Sequence, residues 1–174
     1  DALPDKSLDA GLPVSLKSED EQDGNQISFI ICPLATDTRD PLRRLRRIIR
    51  ATRKAKKEMG GMSSTANEDM ANMLMLPFLL VTMTHSTQNL PPALNAIVSN
   101  VPGPKQTLYL EGSKLERMYP LSIVTDGMGI NMTVISYAGK LCFAITSCPG
   151  RQPDIGSLDR HIRQSYRELL NTLD

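Results

Sequence analysis

Aromatic residues are scarce in this 174-residue sequence, at 4% of the chain, and tryptophan is absent. Few side chains are therefore available for the base stacking through which single-stranded nucleic acids are held. The net charge is only +1, so the protein as a whole has no strong field to attract nucleic acid. We expect no nucleic-acid partner.

Cysteine and histidine are also rare, with three and two copies. Cys32, Cys142 and Cys148 show no C-x-x-C spacing, and two histidines offer little to complete a zinc site. We therefore expect no bound metal. The thiols are expected to be reduced and packed mostly as small hydrophobic side chains.

No hydrophobic run is long enough to span a bilayer. The longest, residues 73–83, has eleven residues and contains Pro77, whereas a membrane-spanning helix needs about 20. The chain opens at Asp1 without a methionine or a signal peptide. We interpret it as a fragment or a processed chain of a longer protein.

The pattern of apolar residues divides the chain. Residues 1–24 are polar and broken by Pro and Gly, which is typical of an irregular arm or inter-domain linker, and residues 25–174 are predicted to form one domain. Helix signals mark an Asp40 cap before a helix that stops at Gly60, a second helix from Thr65, and a C-terminal helix. Strand signals mark residues 26–32, 94–101, 107–110 and 118–124, and a hairpin of residues 130–137 and 141–146. This mixture predicts an α/β fold, a mixed β-sheet with packed helices.

The first predicted helix concentrates positive charge opposite an apolar stripe. Such a face suits anionic lipid headgroups or the phosphates of a nucleotide-type cofactor, although a simply solvated face is an equal alternative. Half of the twenty basic residues lie here: Arg39, Arg43, Arg44, Arg46, Arg47, Arg50, Arg53, Lys54, Lys56 and Lys57.

Few residues are candidates for catalysis. Neither His85 nor His161 is followed by the aspartate of an H-x-x-x-D pair, so we interpret both as structural or surface residues. No serine lies in a G-x-S-x-G elbow. Residues 126–129 (DGMG) lack a third glycine and indicate a turn rather than a dinucleotide loop.

The end of the strand at residues 94–101 is more informative. Ser99 and Asn100 place a hydroxyl and an amide where an apolar strand gives way to the rigid Pro-Gly-Pro of residues 102–104. Polar groups of active sites often lie at such ends, and an asparagine amide can donate to a developing oxyanion. A capped strand end without function is the alternative.

These segments together resemble the C-terminal half of bacterial wax ester synthase/diacylglycerol acyltransferases. The likeness spans almost the whole chain, and the SNVPGP and DGMGINMTVISYAGKL blocks carry most of its specificity. The matching segments are residues 13–16, 24–27, 40–41, 44–45, 99–104, 119–122, 126–131 and 134–141.

The resemblance implies a fold similar to chloramphenicol acetyltransferase and other CoA-dependent acyltransferases. Two related α/β halves then enclose a tunnel, with acyl-CoA as a substrate, no covalently bound cofactor, and a fatty alcohol or diacylglycerol as acceptor. The catalytic HHxxxDG motif of the family belongs to the N-terminal half. This chain has no His-His pair, so it should be inactive without the N-terminal catalytic half as its partner.

By the same resemblance, the end of the third predicted strand faces the tunnel. Asn100 and Ser99 are then positioning or oxyanion-side groups, and Ala96 and Val98 are walls that limit chain length. Alternation puts Ala96, Val98 and Asn100 on one face and Ser99 on the other, and we favour the Asn100 face.

A non-catalytic module that binds membranes or lipid droplets through the basic helix is the alternative function. The two readings are compatible, because the substrates reside in membranes or inclusions. The expected location is cytoplasmic, peripheral to the inner membrane or to lipid inclusions.

Overall fold

The computed structural model describes five stretches of the chain and a few single positions between residues 65 and 83. The stretches are residues 3–15, 27–62, 94–124, 128–148 and 154–172. The strands are β1 (Asp9–Ser15), β2 (Ile27–Pro33), β3 (Leu94–Val101), β4 (Tyr109–Leu110), β5 (Ser113–Lys114), β6 (Met128–Tyr137) and β7 (Lys140–Ser147), and the helices are α1 (Pro41–Gly60) and α2 (Gly156–Asn171).

Five strands form one mixed sheet in the order β2-β1-β3-β6-β7. The central strand β3 is parallel to β1 and to β6, whereas β2 and β7 pair antiparallel at the two edges. β6 and β7 form the predicted hairpin, and its turn residues Ala138 and Gly139 have φ of 45° and 78°. The prediction of an α/β fold with a mixed sheet is confirmed.

The prediction of an irregular arm over residues 1–24 was wrong for β1, which lies inside the sheet between β2 and β3. Its glycine and proline lie within the strand and do not mark a turn. A Cβ on Gly11 would lie 2.8 Å from Cδ1 of Leu94, so a larger residue there would require the end of that side chain to move. β1 pairs with β3 only at Ala10 and Gly11, and Pro13 lies beyond that ladder. The domain boundary after residue 24 stays a prediction.

The prediction of a strand at residues 118–124 was also wrong, because this segment pairs with no strand among the described residues. Side chains hold it against β6 instead. The hydroxyls of Ser122 and Thr133 lie 2.6 Å apart, and the Asn131 amide donates to the carbonyl of Ile123 at 2.9 Å. The short strand predicted at residues 107–110 is reduced to β4, which pairs with β5.

Both long helices were predicted and are confirmed. The Asp40 carboxylate accepts a hydrogen bond from the Arg43 backbone N–H at 2.8 Å, and Pro41 occupies the first turn of α1. α1 packs on β2, where the Cys32 thiol lies 3.3 Å from the Thr52 hydroxyl, and it also contacts α2. Most of the helix predicted from Thr65 lies outside the described residues.

The thiols agree with their predicted packing in part. Cys32 and Cys142 are buried and Cys148 is exposed, and all three are free. No helix in the described part of the chain is both long and apolar enough to cross a membrane.

Candidate functional site

A cleft of about 900 Å³ lies between the sheet and the C-terminal part of α1. The ends of β1 and β3 border it, with contributions from β6 and β7. Because β1, β3 and β6 are parallel, their carboxyl ends lie at the same edge of the sheet, where ligands of open α/β sheets bind.

Three of the four residues singled out in the sequence border this cleft, namely Val98, Ser99 and Asn100. Val98 is opposite Met132 of β6, and Asn100 is opposite Val134, so by alternation both lie on the cleft face of β3. Ser99 is opposite Thr133 on the other face and reaches the rim because β3 ends two residues later. The roles given to these residues stay predictions.

The fourth residue, Ala96, does not line the cleft. It lies further from the end of β3, where it pairs with Ala10 of β1 and Ile130 of β6. Strand alternation places it on the same face as Val98 and Asn100.

The cleft walls are mostly apolar. β1 contributes Leu12 and Val14, and β7 contributes Leu141 and Phe143. Leu141 and Phe143 are 64% and 43% exposed, which is unusual for large apolar side chains of a sheet. Such a surface suits a hydrocarbon chain.

Sequence reasoning missed the contribution of α1 to the cleft. Thr52, Lys56 and Met59 line it from the helix side. Their spacing puts them on one stripe of α1, and this 3.6-residue period was a signal in the sequence that could have identified them.

The described cleft residues include one charged side chain, Lys56, and no carboxylate or imidazole. His161 is exposed on α2, and His85 lies outside the described residues. Away from the cleft, a hydrogen bond and charge attraction between Lys114 and Glu116 lower the pKa of the carboxyl and raise that of the ammonium. The described part of the cleft therefore offers surfaces and hydrogen-bond donors, but no general base.

The segment after Asn100 is hydrogen-bonded to β6 and to the turn that follows it, and its backbone approaches β6 closely at Gly103. The Gly103 N–H donates to the Ser136 hydroxyl at 3.1 Å, and the Ala138 N–H donates to the Pro104 carbonyl at 3.0 Å. A Cβ on Gly103 would lie 2.2 Å from the Ser136 carbonyl oxygen, so only glycine fits. This contact holds the end of β3, and with it the Asn100 side chain, at the rim of the cleft.

The fold and the sequence match a solved structure, the wax ester synthase/diacylglycerol acyltransferase from Marinobacter aquaeolei VT8. The TM-score is 0.81 at 31% identity, and the match covers 97% of this chain and 38% of that chain. The family model "WS/DGAT C-terminal domain" matches residues 23–170.

Curated relatives agree with this match. A Mycobacterium tuberculosis protein that carries the provisional name diacylglycerol O-acyltransferase is 38% identical over 171 residues, which are 96% of this chain and 34% of the relative. The O-acyltransferase WSD of Acinetobacter baylyi is 34% identical over 169 residues, covering 95% of this chain and 36% of the relative. The chain thus spans about a third of the length of these relatives. It belongs to the wax ester synthase/diacylglycerol acyltransferase family and corresponds to the C-terminal domain of its members.

Proposed function

We propose that this chain is the C-terminal part of an O-acyltransferase that moves a fatty acyl group from acyl-CoA to a long-chain alcohol or to diacylglycerol. The product is a wax ester or a triacylglycerol. The observation that carries this proposal is the cleft, where Asn100 lies at the rim of a site with mostly apolar walls. An apolar site with a few fixed polar groups suits a lipid substrate that reacts at one polar atom.

The chemistry is divided between the two parts of the enzyme. The HHxxxDG motif of the N-terminal part supplies the imidazole that removes the hydroxyl proton of the acceptor. The alkoxide oxygen attacks the thioester carbonyl, and the CoA thiolate leaves and is protonated. Asn100 donates a hydrogen bond to the oxygen on which negative charge develops. Val98 contacts the acyl chain. Ala96 lies outside the described lining of the cleft, on the same face of β3 and further from its end, and it limits the length of chain that fits.

The segment from Tyr119 to Ile123 is the surface that receives the N-terminal part. Tyr119, Leu121 and Ile123 are 56%, 95% and 79% exposed, while the hydroxyl of Ser122 between them is bonded to Thr133. Alternate apolar side chains on an extended segment are typical of a strand that pairs with another sheet. Exposed apolar residues grouped in this way indicate a covered surface in the whole enzyme.

Reconstitution tests the proposal and its docking surface together. This chain, co-expressed with the N-terminal part that carries HHxxxDG, should form ester from palmitoyl-CoA and hexadecanol, whereas neither part alone should. The double variant Leu121→Asp, Ile123→Asp should lower co-purification of the two parts by about tenfold or more, since it places charges in an apolar contact.

Leu170→Asp is the matched control, because Leu170 is an exposed leucine of α2 outside this segment. It should leave co-purification unchanged. Absence of ester from the unmodified pair would disprove the proposed function. Normal co-purification of the double variant would disprove only the docking surface.

We further propose that the enzyme lies peripherally on the cytoplasmic face of the inner membrane or on lipid inclusions, held in part by α1. Arg44 bonds to the carbonyl of Thr38 and Arg47 pairs with Asp37, but Arg43, Arg46 and Arg50 are exposed without an ion pair in the described ranges. Exposed arginines on an amphipathic helix attract anionic headgroups.

Vesicle binding tests this location. The full-length enzyme should co-sediment with phosphatidylglycerol vesicles, and the bound fraction should fall steeply between low and physiological salt because exposed charges are screened. The triple variant Arg43→Glu, Arg46→Glu, Arg50→Glu should abolish the salt-sensitive part. A bound fraction that changes neither with salt nor with this variant would contradict a role for α1.

A further inference from the structure

Lys56 points from α1 toward the cleft, not away from the protein. It lies on the same stripe as Thr52, which contacts the Cys32 thiol of β2, and Met59, which is buried. An amphipathic helix normally carries apolar residues on such a stripe. Lys56 lines the cleft and remains exposed, which is typical of a lysine whose aliphatic stem covers apolar surface while its ammonium stays in water.

The charge of Lys56 has no partner in the part of the cleft that the structure describes. No carboxylate lines it there. The ion pairs described on α1 join Arg47 to Asp37 and Lys54 to Glu58, and neither includes Lys56. Two more exposed cations lie on the same helix: Arg53, three residues earlier, is a neighbour of Lys56 on the helix surface, and Lys57 is a neighbour of Arg53. The described lining of the apolar cleft thus carries one positive charge, that of Lys56, which an anion would complement, and further cations lie outside the lining.

We propose that Lys56, assisted by Arg53 and Lys57, binds the phosphate groups of acyl-CoA. This inference rests on the proposed function. The apolar walls exclude the phosphates, so these must remain at the mouth while the acyl chain and the thioester enter. A cation at the mouth therefore holds the donor with its thioester near Asn100. Headgroups of anionic lipids have the same phosphate chemistry, and the experiment separates the two.

The test uses two acyl donors with the full-length enzyme. Palmitoyl-CoA carries the phosphates, whereas the palmitoyl thioester of N-acetylcysteamine has the same reacting group without them. Lys56→Glu should raise KM for palmitoyl-CoA by about tenfold, as expected for the loss of a charge-assisted contact. It should leave kcat with palmitoyl-CoA, and KM for the phosphate-free donor, within about twofold of wild type. Lys56→Arg should restore most of the affinity.

Lys54→Glu is the matched control, because it reverses the same charge two residues away on another face of α1 and should change neither KM. Calorimetric binding of coenzyme A to the full-length enzyme gives a readout that does not depend on turnover, and Lys56→Glu should weaken it by a similar factor.

Three results would overturn the inference. Lys56→Glu could raise KM equally for both donors, which would mean that Lys56 contacts a part of the donor other than the phosphates. Lys54→Glu could have the same effect as Lys56→Glu, which would mean that the overall charge of α1 matters and not the position of Lys56. Lys56→Glu could reduce binding to phosphatidylglycerol vesicles without changing KM or coenzyme A affinity, which would assign Lys56 to lipid. An unmodified enzyme that binds coenzyme A through Lys56 but forms no ester would instead contradict the proposed function alone.

Discussion

Asn100→Ala in the full-length enzyme is expected to lower kcat for ester formation by about 100-fold. Asn100 lies on the cleft face of β3, at the rim of the cleft, and pairs with Val134 of β6. A donor aimed at the developing oxyanion acts in the transition state more than in the ground state, so its loss reduces kcat with little change in KM. Steady-state rates with palmitoyl-CoA and hexadecanol measure both constants.

The side chain of Asn100 is exposed, so its removal should leave the fold intact. Thermal unfolding of the variant should match that of wild type within the usual range for a surface substitution. Gln106→Ala, an exposed amide outside the described lining of the cleft, is the control and should retain full activity. A normal kcat for Asn100→Ala would show that the amide does not act on the reacting carbonyl.

Gly103→Ala is expected to destabilise the chain by about 3 kcal/mol or more. The added Cβ would lie 2.2 Å from the Ser136 carbonyl oxygen and 3.0 Å from Cγ1 of Ile135. Neither neighbour can move freely, because one is backbone of β6 and the other is a buried side chain. Thermal unfolding and soluble yield measure the loss.

Gly156→Ala is the comparison for this variant, since a Cβ there would meet nothing within 4 Å. It should leave stability unchanged or raise it slightly, because alanine is favoured over glycine in a helix. Equal stability of Gly103→Ala and wild type would mean that the end of β3 can move away from β6. The proposed placement of Asn100 would then lose its structural support.

Elements with strong local signals were predictable from the sequence. The Asp40 cap and Pro41 mark the beginning of α1, and the Asp40 carboxylate does accept the bond from Arg43. Alternating residues around Ala138 and Gly139 indicate the hairpin of β6 and β7, since tight turns need residues that tolerate positive φ. In each case the interaction is local, so residues near in sequence contain the information.

Elements that depend on distant partners were not predictable in the same way. β1 contains Gly11 and Pro13, which locally favour a loop, but pairing with β2 and β3 outweighs that preference. Residues 118–124 have the alternation of a strand, yet Ser122 and Ile123 bond to side chains of β6 instead. An alternating pattern shows which residues share a face of an extended segment. It does not show whether another strand is hydrogen-bonded to that segment.

The candidate site was likewise predictable only where its features are local in the sequence. The family, the strand end at Ser99 and Asn100, and the basic character of α1 follow from residue order alone, because motifs, alternation and charge are properties of short segments. Only the tertiary structure brought the end of β3, the C-terminal part of α1 and residues of β6 and β7 together around one cleft. Only it showed that Lys56, among the cations of the helix, lines the cleft, because the direction of a helix face depends on the sheet against which the helix packs.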